Sequence, residues 1–129
     1  AGNGVPLDVP RLAGSVQFDY QKADLTYQDV YFSGKKKFAG QEIVYQNNRP
    51  VWVMHYFGEI IKDEPEEFLK IALTSLADRC RFGESCDFVK LEYKYQDQGK
   101  GNMESFSGQE KISKKDSAIY NLNYNGGLI

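Results

Sequence analysis

Apolar and polar residues alternate along most of this chain, and that period of two predicts strands. Leu25 to Phe32 is rich in Tyr, Val and Phe, and the solvated turn Gly34-Lys35-Lys36-Lys37 follows it. Phe38 to Tyr45 reads as a second strand, Asn47-Asn48-Arg49 as a polar turn, and Val51 to Ile60 as a third strand. Pro50, which has no N–H to donate, suits a strand start. Later come Phe88 to Gln96, the loop Gly99-Lys100-Gly101-Asn102, and strands near Glu104 to Ile112 and Ala118 to Tyr124. Val16 to Tyr20 offers a further strand, and residues 1 to 14 look irregular. One stretch changes period. Pro65-Glu66-Glu67 suits a helix N-terminus, and Phe68, Leu69, Ala72, Leu73 and Leu76 follow at helical spacing, predicting a helix over about 65–78.

The strands repeat. Sliding the sequence by 68 residues lays 25–61 on 93–129 without a gap, and 10 of the 37 aligned positions are identical. Average composition gives roughly two by chance. Tyr27-Gln28-Asp29 falls on Tyr95-Gln96-Asp97, and Phe38-Ala39-Gly40-Gln41-Glu42 on Phe106-Ser107-Gly108-Gln109-Glu110. This is a tandem duplication inside one domain, 1–129. The expected fold class is α+β. Three-strand antiparallel units in the order β(3)-α-β(3) form a curved sheet or open barrel, with the helix on one face.

Alternation places Trp52, Met54 and Tyr56 on one strand face, with repeat mates Tyr120, Leu122 and Tyr124. That face is a core, which is the favoured reading, or the wall of an apolar cavity. Val51, Val53, His55 and Phe57 lie on the other face, where the second copy has Ile119, Asn121, Asn123 and Asn125. Phe38, Gly40, Glu42 and Val44 share a face, as do Phe106, Gly108, Glu110 and Ile112, so a carboxylate sits among apolar neighbours twice. Two such glutamates are candidates for acid/base work or for gripping a cation. The plainer reading weighs more: bulges at Gly40 and Gly108 would turn both glutamates to solvent or onto a tyrosine hydroxyl. His55 is the single histidine, and its mate Asn123 cannot act as a base, so a structural role is favoured.

Composition narrows the classes. The 129 residues carry 16 basic and 18 acidic side chains, net −2, which argues against a nucleic-acid surface. No apolar run approaches the ~20 residues of a membrane-spanning helix. Cys80 and Cys86 do not form a C-x-x-C, and His55 alone could add an imidazole, so no metal site is expected. Two cysteines do not suggest a disulfide framework, and a reducing, cytoplasmic setting is expected. No phosphate-loop, nucleophile-elbow or zincin motif is present.

The segments Phe38 to Glu42, Pro50 to Gly58, Phe68 to Leu73 and Tyr124 to Ile129 resemble a bacterial domain of unknown function, found alone or behind a phage-repressor-type helix-turn-helix. The resemblance covers almost the whole chain. The family pattern has Asn-Tyr where this chain has His55-Tyr56. It also implies a helix just before Ala1, the mate of the helix at 65–78, so the native start is expected upstream. No activity comes with the resemblance; a sensor or oligomerisation role beside a DNA-reading domain does, by analogy.

The expectation is therefore a non-enzymatic small-molecule-binding or sensor domain, as the regulatory part of a transcriptional regulator. The candidate ligand residues are Glu42, Trp52, Met54, His55, Tyr56, Glu110, Tyr120 and Tyr124, with no catalytic residue and no cofactor. The alternatives are a small hydrolase or isomerase using Glu42, Glu110 and His55, and a module that homodimerises through edge strands.

Overall fold

The computed structural model describes residues 5–62 and 85–129. These residues are all-β: one antiparallel sheet of eight strands in the order β1-β2-β3-β4-β8-β7-β6-β5. The strands are β1 (Val16–Lys22), β2 (Leu25–Ser33), β3 (Lys37–Gln46), β4 (Arg49–Ile60), β5 (Ser85–Lys90), β6 (Tyr93–Asn102), β7 (Ser105–Lys114) and β8 (Ser117–Leu128). The expected α+β class is thus corrected. The helix expected over 65–78 lies outside the described residues, and within them there are strands alone. The sheet has β1 and β5 at its two edges.

Each repeat has four strands, not three. Shifted by 68 residues, β1 falls on β5. The stretch read as one strand, Phe88 to Gln96, is two strands folded at Leu91-Glu92, with Leu91 at φ 55°. No glycine, asparagine or proline marks that turn, which is why the sequence pattern ran through it. The matching corner in the first copy has Ala23 at φ 56°. By contrast, Asn47-Asn48 (φ 50° and 64°) and Lys115-Asp116 (φ 48° and 66°) each put two successive residues in the left-handed region, as a two-residue primed hairpin turn requires. The loop expected at Gly99 to Asn102 is instead the end of β6, which turns at Met103-Glu104.

The copies join at β4 and β8. There, Trp52 pairs with Leu128 and Ile60 with Tyr120, so paired residue numbers sum to 180. With a repeat offset of 68, one pair consists of repeat mates: Tyr56 and Tyr124. The pseudo-two-fold axis passes between these two tyrosines. Contacts on either side obey it. Ile61 N–H donates to Ile119 O at 2.8 Å, and its counterpart Ile129 N–H donates to Val51 O at 3.0 Å.

The β-bulges sit elsewhere than expected. Register shifts between Val44 and Tyr45 and between Ile112 and Ser113 leave Val51 and Ile119 as the extra residues, again repeat mates. Gly40 and Gly108 stay in regular pairing, so the face carrying both glutamates does not flip. The bulge re-aims its own residue. Ile119, expected on the polar face, is fully buried and joins the core of Met54, Tyr95, Phe106, Ile112, Tyr120, Leu122 and Tyr124.

Cys86 is disulfide-bonded, and Cys80 is the one other cysteine in the sequence. The cysteine count, read as giving no disulfide framework, did not anticipate this bond. A native disulfide in a small domain contributes about 2–4 kcal/mol. Cys86→Ser, or reduction with dithiothreitol, is expected to lower stability by that amount in urea unfolding, with no further loss on reducing the variant.

Candidate functional site

Cross-strand pairing sorts the side chains onto two faces. Asp29 pairs with Glu42, Glu42 with Met54, and Gly40 with Tyr56, so all five share the inner face. Tyr56 reaches diagonally across β3 and donates to Asp29 Oδ1 at 2.7 Å. The second copy repeats the arrangement: Tyr124 donates to Asp97 Oδ1 at 2.6 Å. The glycine between makes the reach possible. A Cβ on Gly40 would lie 2.5 Å from the Tyr56 hydroxyl, and one on Gly108 would collide with the Tyr124 hydroxyl and ring.

The glutamates belong to the same network. Asp97 and Glu110 are directly opposed across β6 and β7, and both are buried, at 0% and 1% exposure. Two carboxylates so placed repel and cost desolvation. Tyrosine hydroxyls compensate: Tyr95 donates to Glu110 Oε2, Tyr120 donates to Glu110 Oε1 at 3.3 Å, and Tyr124 serves Asp97. In the first copy Asp29 opposes Glu42 in the same way, and Glu42 is half-buried. Burial, with the hydrogen bond to Asp29 and the charges of Asp29 and Glu42, holds the Tyr56 hydroxyl far above its ordinary value. Tyr56 is therefore a donor at every working pH.

Aromatic rings lock the halves together. Phe38 stacks on Tyr120 at 6.1 Å, and its mate Phe106 stacks on Trp52 at 5.8 Å, so each copy's phenylalanine rests on the other copy's β4 or β8. Phe38 against Tyr56 and Phe106 against Tyr124 complete the set at 6.2 and 6.1 Å. Each pair contributes roughly 0.5–1.5 kcal/mol beyond its buried area.

The candidate residues thus divide. Trp52, Met54, Tyr56, Tyr120, Tyr124, Glu42 and Glu110 come together on the inner face, where Met54, Tyr120, Tyr124 and Glu110 are buried and Trp52, Tyr56 and Glu42 are half-buried. They form a packed core in which Glu110 is held by tyrosine hydroxyls. His55 stands apart on the outer face, exposed, paired with Gln41 and Asn125. The glutamates do not face each other. Three strand spacings and a four-residue offset separate them, on the order of 19 Å along the sheet, whereas paired-carboxylate chemistry works within about 10 Å. Among the described residues, no group of three or more His, Cys, Asp or Glu side chains is placed to hold a metal ion. No described helix is long and apolar enough to cross a membrane.

Concavity lies on the outer face. A groove of about 510 Å³ opens over β6, β7 and β8, lined by Gln98, Lys100, Ser107, Gln109, Asn123 and Asn125, with Gly99, Gly108 and Tyr124 completing it. It is the valley between two cross-strand rows, Gln98–Gln109–Asn123 and Lys100–Ser107–Asn125. Sequence reasoning noted the asparagines of β8 as a polar face but did not join them to β6 and β7. It also passed over Asp29 and Asp97, whose signal was their place in the identical Tyr-Gln-Asp triplets.

Residues 29–129 match the family model described as a domain of unknown function, DUF5680, and the chain belongs to that family. No curated protein and no solved structure matches it.

Two outcomes follow from the tyrosine–carboxylate network. Tyr124→Phe and Gly108→Ala are each expected to cost about 1–3 kcal/mol in urea unfolding, and together less than their sum, since both act on one hydrogen bond; a neutral Gly108→Ala contradicts the packing. Because the Tyr56 value is raised on folding, its contribution is complete below about pH 10 and declines as pH rises beyond it. Wild type is expected to lose stability above pH 10 more steeply than Tyr56→Phe, by at most about 1.4 kcal/mol per pH unit; equal alkaline slopes contradict this.

Proposed function

We propose that this chain is a non-enzymatic binding domain that takes a small polar ligand in the groove of its outer face. The observation that carries the reading is the contrast between faces. The inner-face candidates are consumed in packing and in tyrosine–carboxylate hydrogen bonds, while the outer face of the second copy offers a shallow, open groove lined by polar side chains. Its lining is amide, hydroxyl and one ammonium, groups that orient a polar molecule. His55, on the same face, borders the groove beyond Asn125. A sensor role within a larger regulator belongs to the same reading; the resemblance to domains that accompany a helix-turn-helix supports it.

The test is a ¹H–¹⁵N titration of the intact chain against metabolite mixtures grouped as sugars, nucleotides, amino acids and organic acids, with thermal shift in parallel. Amide shifts confined to outer-face residues of β6 to β8 are expected, and a binder at 100 times its Kd raises stability by about 2.7 kcal/mol. Shifts centred on Trp52 and Glu42 would move the site back to the inner face, and silence from every group would overturn the binding reading.

A further inference from the structure

We infer that the outer-face groove takes a neutral polyhydroxylated chain, an oligosaccharide, with Phe57 stacking on one of its rings. The inference rests on the binding reading above and adds the ligand's class. One row of the valley runs Gln98, Gln109, Asn123 and, on the next strand, Phe57. The other runs Lys100, Ser107, Asn125 and His55. Each primary amide sets two donors beside an acceptor, the complement of a hydroxyl that donates and accepts at once. The groove contains one cation and no carboxylate. That is thin for a phosphate, which calls for several cations or a helix N-terminus. Phe57 is 53% exposed and closes one end of the amide row. Its ring offers an apolar platform beside hydrogen-bonding groups, the combination a sugar presents in reverse.

The fold itself does not require this lining. The first copy builds the same strands with Val30, Phe32 and Ala39 where the second has Gln98, Lys100 and Ser107. Asparagine is poorly suited to strand interiors, yet β8 places Asn121, Asn123 and Asn125 in alternation. The valley crosses β6, β7, β8 and β4, a span of ~14 Å, which favours a chain of sugar rings over a single one.

Cellohexaose, chitohexaose and maltohexaose are titrated into the ¹⁵N-labelled chain, with ATP, a heparin-derived hexasaccharide and an amino-acid mixture alongside. One or more neutral hexasaccharides are expected to move the side-chain amide resonances of Gln98, Gln109, Asn123 and Asn125. Phe57→Ala and Asn123→Ala, both at exposed positions and checked for an unchanged Tm, are each expected to weaken Kd about tenfold, equivalent to 1.4 kcal/mol. Binding that neither variant weakens overturns the inference. Groove shifts from the anionic or amino-acid probes alone overturn it while leaving the outer-face binding reading standing. No shift with any probe overturns the inference, and silence from the metabolite groups named above as well overturns the binding reading with it.

Discussion

A tyrosine hydroxyl donating to a buried aspartate, made once in each copy, is the interaction on which the rest of this sheet depends. Tyr56 and Tyr124 face each other at the pseudo-two-fold axis, and each reaches over a glycine to a carboxylate two strands away. The bond ties β2 to β4 and β6 to β8 above the backbone ladder. It also gives Asp29 and Asp97 a partner where burial would otherwise be expensive. The glycines follow from it, because any side chain at 40 or 108 would occupy the hydroxyl's place.

The inner face is committed to packing, and among the described residues the groove over β6, β7 and β8 opens on the outer face. The two copies have kept most of the inner face, while the outer face keeps Gln28/Gln96 and Gln41/Gln109 and changes at most other positions. Of the identical pairs, Tyr27/Tyr95, Asp29/Asp97, Phe38/Phe106, Gly40/Gly108, Glu42/Glu110, Tyr56/Tyr124 and Gly58/Gly126 all belong to the inner face. Gly58 and Gly126 also serve it, making room for the rings of Phe38 and Phe106. Outside, His55 and Phe57 stand where the second copy has Asn123 and Asn125. A duplicated core tolerates little change because its parts are matched across the axis. A solvated face has no such constraint and is free to specialise.

Much of this was legible in the residues. The gap-free offset of 68 located the repeat, and the period of two put Trp52, Met54 and Tyr56 on one face of their strand and Glu42 with Phe38 and Gly40 on one face of another. Turn chemistry found Asn47-Asn48 but not Leu91-Glu92, whose residues carry no turn signal, and so a four-strand unit was read as three. The bulges at Val51 and Ile119 were invisible because bulging there follows from pairing with β3 and β7, not from local composition. The part the candidate residues play in packing was hidden for a similar reason. Large aromatics beside a carboxylate look alike as a pocket wall and as a satisfied core, and only the diagonal reach from Tyr124 to Asp97 separates the two. The groove joins side chains from three strands, and no single segment announces it.

The most direct measurement is a double-mutant cycle on Tyr124 and Asp97, using Tyr124→Phe, Asp97→Asn and the pair, each followed by urea unfolding. A coupling energy of at least about 1 kcal/mol is expected for a buried hydroxyl–carboxylate bond. Additive effects, with no coupling beyond experimental error, would contradict the claim that this bond organises the sheet.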